Sequence, residues 1–325
     1  MNENCDAPQQ IFLDINLECN LHCIQCDLHR SKNPQEELTL EERKQLIDEI
    51  SVLYPGSNLV LSGSEPFMRR EHLYELACLA RDNGLYTTIS TNGTLISDDD
   101  IRKLPKSGIN DIVVSLDSHV ASVHDGIRGV RGCFNQAVQS IRKLVEARND
   151  SKTDFHVLTS TILGAHNLSH IHELVAYLEL LDVDTSMFQP IQPVFNRQVE
   201  PDWQIKSPLF PKDLSSINYG IDNLIECKRK GKRLYQQEYQ FEDMRYYFLN
   251  GATVRSQQCI SAKKNLMIDI IGNVRFCFNM ERIGLSPIGN VRKTPLEGLW
   301  SNNAEMRSKM DNCQECCGVM ICHAR

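Results

Sequence analysis

The stretch IFLDINLECNLHCIQC, residues 11–26, carries Cys19, Cys23 and Cys26 in the order C-x-x-x-C-x-x-C directly behind a short apolar run. Thiolates are the ligands that iron–sulfur clusters select. Three of them on one short loop can hold three irons of a four-iron cluster. The fourth iron then has no protein ligand and is open to a small molecule. A structural zinc site usually takes four protein ligands. The competing reading is therefore a zinc knuckle completed by His22 or His29.

Beyond this loop the chain reads as an ordinary enzyme. It has 325 residues and a formal net charge of −7, so no basic footprint argues for nucleic acid. No apolar run reaches the length of a membrane span. The start, MNENCDAPQQ, is polar and lacks the pattern of a secretory signal. Thirteen cysteines without an export signal point to metal rather than disulfides, because the cytosol keeps thiols reduced. A cytoplasmic location is the expectation. Three cysteines crowd 19–26 and six lie between 259 and 322, with only Cys5, Cys78, Cys133 and Cys227 scattered. Cys78 and Cys227 sit in helical patterns and read as small buried hydrophobes.

Apolar runs alternate with amphipathic stretches. The strands expected are Ile11–Asn16, Leu59–Gly63, Tyr86–Thr91, Ile112–Leu116, Phe155–Thr161 and Ser186–Gln189. Between them, Thr39 and Glu42 read as a capping box, and Ser97 with Asp100 as a second helix start. Phe134, Val138, Ile141 and Val145 mark one helix face, and Leu168, Ile171, Val175 and Leu178 another. Such alternation implies parallel pairing through right-handed crossovers. Six units over roughly 11–190 fall short of a closed eight-unit barrel. The expected fold is α/β, an open partial barrel. Ligands of parallel sheets sit at the carboxyl ends of the strands. Cys19, Gly63-Ser64-Glu65-Pro66, Thr91-Asn92-Gly93, Ser115, Asp117 and Gln189-Pro190 all fall there. The proline-rich Gln192–Pro211 reads as a linker, and 212–250 as polar helix. The expected division is a barrel over 1–210, then helices and a small metal-binding domain over 211–325.

In that second part, Cys259 is followed by Gly272 and then by Cys277, with NLMIDIIGNVRFC alternating apolar and polar residues. Gly272-Asn273 reads as the turn of a β-hairpin that brings Cys259 and Cys277 to one end. Cys313 and Cys316 could complete four ligands. A closed site of four thiolates has no open iron, so it would move electrons or shape the pocket. Zinc suits the same four thiolates.

Taken together, residues of about 10–190 resemble the radical S-adenosyl-L-methionine (SAM) superfamily. The resemblance rests on the cysteine triplet, GSEP at 63–66, Thr91-Asn92-Gly93, VVSLDS at 113–118 and HDGIRGVRGCF at 124–134. Gln25 departs from the aromatic residue usual there, which contacts the adenine. The C-terminal cysteines resemble the twitch and SPASM auxiliary-cluster modules, through C-x(9–15)-G-x(4)-C and through Cys313, Cys316 and Cys322. The next cysteine of the longer pattern is not present. The resemblance implies a SAM-binding 4Fe-4S cluster, SAM, and at least one auxiliary 4Fe-4S cluster on Cys259, Cys277, Cys313 and Cys316, with Cys322 or Cys317 able to replace one. It also implies reductive cleavage of SAM to a 5′-deoxyadenosyl radical, fed by a reductase such as flavodoxin or ferredoxin.

Among site residues, the resemblance implies that Gly63, Ser64, Glu65 and Pro66 receive the methionyl amino group. Ser115 and Asp117 would lie near the ribose, with Thr91, Asn92 and Gln189 beside the cofactor and Arg128 on the methionyl carboxylate. Asp117 as a helix cap and Arg128 as a surface salt bridge are the plainer alternatives. Cys317 is a candidate hydrogen donor to a substrate radical. The expected substrate is a small molecule, such as a sugar or aminocyclitol, that is oxidised, epimerised or rearranged. Only eighteen residues precede Cys19, too few for a leader-binding module, which tilts the reading away from the alternative of a peptide- or protein-modifying maturase. A non-catalytic sensor or electron carrier would leave GSEP and the R-G run idle.

Overall fold

The computed structural model describes the chain except residues 1–6, 27, 29–31, 151–154, 195–199, 201, 251–259, 312 and 314–325. Six parallel strands form the barrel wall: β1 (Gln10–Asn16), β2 (Asn58–Gly63), β3 (Tyr86–Thr91), β4 (Asp111–Ser115), β5 (His156–Leu163) and β6 (Thr185–Pro190). Each strand expected from sequence is present with ends that agree to within two residues, although Leu116 falls just after β4 and Phe155 just before β5. The helices behind them are α1 (Leu40–Leu53), α2 (Arg70–Asp82), α3 (Asp98–Lys103), α4 (Ala121–Arg128), α5 (Cys133–Asp150) and α6 (Ile171–Leu180). Both capping boxes form, Thr39 with Glu42 and Ser97 with Asp100. The sheet does not close, and the chain is the open partial barrel expected.

The alternation in each strand places the core. Ile11, Leu13 and Ile15 of β1 are fully buried, with Leu59 and Leu61 of β2 and Ile47, Ile50, Leu73 and Leu76 of the helices. Burying a side chain of this size contributes about 1.5–3 kcal/mol. Phe12 and Asp14 face the other way, into the barrel. Ser62 Oγ donates to Asp14 Oδ1 at 2.8 Å, and burial pushes the Asp14 carboxyl up to about 6.

After β6 come α7 (Trp203–Lys206), α8 (Leu214–Arg229) and α9 (Glu238–Asn250), which bears out a helical 212–250. Residues 233–236 run along the outer edge of β6. There Gln236 Oε1 accepts from Phe188 N–H and its Nε2 donates to Phe188 O, at 3.0 and 2.8 Å. The chain then returns through α10 (Ser261–Lys264) to β7 (Asn265–Ile268), β8 (Asn273–Arg275) and β9 (Gly289–Asn290). β7 and β8 are the expected antiparallel hairpin, but the turn is Asp269–Gly272 and Asn273 already belongs to β8. Asp269 Oδ1 takes the N–H groups of Ile271 and Asn273, which sets that turn one residue earlier.

One pairing was not expected. β7 lies parallel to β1, Gln10 opposite Asn265 and Leu13 opposite Ile268, so one nine-stranded sheet runs β6-β5-β4-β3-β2-β1-β7-β8-β9. Arg292, after β9, grips Glu42 of α1 at 2.6 and 2.8 Å and the carbonyls of Glu36 and Glu37. Two short helices, α11 (Leu296–Ser301) and α12 (Ala304–Asp311), close this end, with Trp300 packed edge-on against Tyr54 and Phe276.

Candidate active site

The carboxyl ends of the strands surround a cavity of about 290 Å³. Cys19, Cys23 and Cys26 line it, with Gly63, Ser64, Thr91, Asn92, Ser115, Arg128 and Gln189. Thus the sequence-expected residues converge from four strand ends, from the end of α4 and from the cysteine loop. Glu65, Pro66 and Asp117 do not line it.

The cysteine loop is tied to the strand ends by backbone. Asn16, at the end of β1, is fully buried, and its Nδ2 donates to the carbonyls of Glu18 and Glu65 at 2.7 and 2.9 Å. Ser64 N–H donates to Asn16 O and Glu65 N–H to Glu18 O. Gly63 has φ +120°, and a Cβ there would stand 2.0 Å from Asn16 O. Only glycine lets the GSEP turn meet the start of the cysteine loop this closely. Asn92 Nδ2 donates to Asn20 Oδ1 at 2.9 Å, and Asn20 Nδ2 to Thr94 Oγ1 at 2.8 Å, which fixes the next stretch. Asn16, Asn20 and Thr94 were not singled out from sequence. The signal available was an asparagine placed at a strand end.

Glu65 is fully buried behind the wall. Its oxygens accept from Phe67 N–H, Thr91 Oγ1 and Asn92 N–H at 3.1, 2.8 and 2.8 Å. Burial pushes its carboxyl above the ordinary range, against these bonds. The side chain therefore clamps the β2 turn to the β3 turn, and it is Gly63 and Ser64 that reach the cavity. Asp117 is also fully buried. Its Oδ2 accepts from Arg128 Nε at 2.7 Å and its Oδ1 from Ile162 N–H at 3.0 Å. Burial opposes its charge, yet Arg128 and the Ile162 N–H hold the carboxyl below its ordinary value. Asp117 caps no helix, since α4 has Val120 at its N-cap. Nor is Arg128 a surface side chain, at 8% exposure. Burial holds His124 down to about 4, so its neutral Nδ1 accepts from Asp117 N–H at 3.1 Å.

The donor set suits an iron–sulfur cluster with a bound SAM. The Cys19 sulfur accepts from Leu21 N–H at 3.5 Å and the Cys26 sulfur from Leu28 N–H at 3.4 Å, bonds that favour thiolates. Burial raises the Cys19 and Cys23 thiols, so their charge is stable here only beside a cation. Among the described residues no group of His, Cys, Asp or Glu forms a site for a single metal ion. The buried oxygen Gln25 Oε1 in the cavity wall has no hydrogen-bond partner, nor has Gln192 Oε1. A ligand with N–H donors satisfies such atoms.

Cys277, after β8, and Cys313, after α12, are both half-buried. Cys259, Cys316, Cys317 and Cys322 lie outside the described residues. So do Cys5, His29 and residues 195–199 of the expected linker.

The model of the radical SAM superfamily matches residues 15–178, and that of the SPASM iron–sulfur cluster-binding domain matches 259–317. An AdoMet-dependent heme synthase of Methanosarcina barkeri is 27% identical over 97% of this chain and 88% of its own length. A mycofactocin maturase, MftC, of Mycolicibacterium smegmatis is 30% identical over 53% of this chain and 42% of its own. Among solved structures, SuiB of Streptococcus suis bound to SAM aligns with a TM-score of 0.67 at 15% identity, over 92% of this chain and 65% of that one. The chain therefore belongs to the radical SAM superfamily, carries a C-terminal SPASM-type domain, and works with a SAM-binding 4Fe-4S cluster, SAM and an auxiliary iron–sulfur cluster.

Proposed function

We propose that this radical SAM enzyme is a maturase that removes a hydrogen atom from a residue of a peptide or protein. The observation that carries the reading is the character of the cavity wall. Among its described residues the only cation is Arg128, which Asp117 already holds. The other polar side chains are neutral: Gln25, Ser64, Ser90, Thr91, Asn92, Ser115, Gln189 and Gln192. Amides and hydroxyls match the N–H and C=O groups of a peptide. The match to the mycofactocin maturase also favours a maturase over the sugar or aminocyclitol chemistry expected from sequence.

Cys19, Cys23 and Cys26 would hold three irons. Cys259, Cys277, Cys313 and Cys316 would hold the auxiliary cluster, with Cys317 or Cys322 as substitutes. With the cluster and SAM bound, and one electron from a reductase, the site would supply the radical chemistry that abstracts the hydrogen. The chain's part is to orient and to shield. Gly63 and Ser64 would present the β2 turn to the methionyl amino group, and Arg128 would face the methionyl carboxylate. Thr91, Asn92, Ser115 and Gln189 would border the ribose and adenine. Leu21, Leu28, Ile162, Pro190, Ile191 and Val194 exclude water from the reacting atoms. Cys317 is the candidate donor if the product is an epimer. Residues 1–210 then form the SAM-binding part and 211–325 the auxiliary part.

A second reading, carboxylate chemistry on a tetrapyrrole, is favoured by the near full-length match to the heme synthase. The two separate in one experiment. The anaerobically reconstituted enzyme, with SAM and dithionite, is offered the short peptides encoded beside its gene and, separately, an iron porphyrin carrying propionates. Release of 5′-deoxyadenosine coupled to a mass change in a peptide supports the proposal. Decarboxylation of the porphyrin with no peptide product overturns it in favour of the second reading.

A further inference from the structure

Most of the HDGIRG run at 124–129 lies outside the cavity. It meets the cysteine loop instead. Ile127 O accepts from Ile24 N–H at 2.9 Å, and Arg128 O accepts from His22 N–H at 3.1 Å. The last carbonyls of a helix have no partner within it. Here the two residues that flank Cys23 supply the donors. Gly129 ends α4 at φ +73°, and a Cβ there would stand 2.2 Å from His22 O. Glycine is thus required twice, by its dihedral and by the loop that presses on it.

The Arg128 side chain turns back along the same loop. Its Nε donates to Asp117 Oδ2 at 2.7 Å, and it lines the same cavity wall as Cys23. Asp117 is itself anchored. Ile162 N–H binds its carboxylate, Asn167 Nδ2 its carbonyl and His124 Nδ1 its N–H. The cation beside Cys23 is fixed from behind by a fully buried carboxylate.

We propose that the Ile127–Gly129 turn seats the SAM-binding cluster and that Arg128, held by Asp117, sets the cluster's reduction potential through Cys23. The inference rests on Cys23 being a cluster ligand. A reduced cluster carries one more negative charge than the oxidised form. A cation against a ligand sulfur favours the reduced form, and a buried site screens that effect weakly. Asp117 offsets part of the cation's field and fixes its position. Arg128 and Gly129 are positioning residues.

The test is a redox titration of the reconstituted full-length protein, followed by electron paramagnetic resonance before SAM is added. The signal is assigned to this cluster by its change when SAM follows. Arg128→Met should lower the midpoint potential, Arg128→Lys should restore part of the loss, and Asp117→Asn should raise it. Gly129→Ala should reduce bound iron by about four per chain, the content of one cluster. Wild-type potential in a loaded Arg128→Met overturns the inference, and so does wild-type potential in Asp117→Asn even if Arg128→Met fails to load. So does full iron in Gly129→Ala. A wild-type protein with no SAM-sensitive signal overturns the cluster reading beneath it, which is a separate failure.

Discussion

Gly63 ends β2 and Asp14 lies opposite Ser62 in the neighbouring β1, and each acts through what surrounds it. Gly63→Ala places a Cβ 2.0 Å from the Asn16 carbonyl at a φ of +120°. Backbone on both sides cannot yield cheaply. The expected cost is about 2–4 kcal/mol, read as a lower urea midpoint, together with poorer cluster loading. Asp14 behaves in the opposite sense. Its carboxyl is pushed up to about 6, so the folded state prefers it protonated. Stability from this group is fully present below the ordinary aspartate value and is lost as pH rises through about 6. Asp14→Asn mimics the protonated form. It should raise stability by about 1–2 kcal/mol at pH 8, with the gain vanishing near pH 4. At this scale the sequence located the polar residues but not their direction. Glu65 and Asp117 turn away from the cavity because N–H groups of the turn after β3 and of β5 claim their oxygens. Nothing in a single strand end announces that. Gly129 was visible as a glycine, while its partner His22 lies more than a hundred residues earlier.

Elements were more legible, because alternation and capping are local properties. The six barrel strands and both capping boxes follow from residues within a few positions of one another. The parallel seam between β1 and β7 joins segments some 250 residues apart, and β7 alone reads only as half of a hairpin. A second long-range tie, from Arg292 to Glu42, stitches the segment after β9 to the start of α1. The hydrogen bonds from Arg292 hold the Glu42 carboxyl down to about 2. This contribution is present above the ordinary glutamate value and is lost as pH falls toward 2. Both side chains are about one-third exposed, 36% and 30%, so solvent screens the pair. Arg292→Ala should cost about 1 kcal/mol at neutral pH. Adding Glu42→Gln to it should cost less than the two single losses summed, which a double-mutant cycle of urea midpoints measures.

For the whole molecule, the open barrel and the cofactor class were readable because a handful of cysteines and glycines carry them. The substrate class was not. Its determinants are the sign and spacing of side chains that meet only in the folded cavity. The two cysteine groups give an expected iron content of about eight per chain for two four-iron clusters. Stripping that iron with a chelator should lower the melting temperature, because the clusters bind only the folded chain. An apo form that melts with the holo form would count against ligation by the C-terminal cysteines.

The hydrogen-bonded side chain of Gln236 has a last consequence. An unclosed sheet keeps two borders, and each is an invitation to stack with another copy in the manner of amyloid. On one border the amide of Gln236 imitates a neighbouring strand at Phe188. On the other, the final strand is only two residues long. A chain that must stay ajar to admit its reactants thus blunts both borders against unwanted polymerisation.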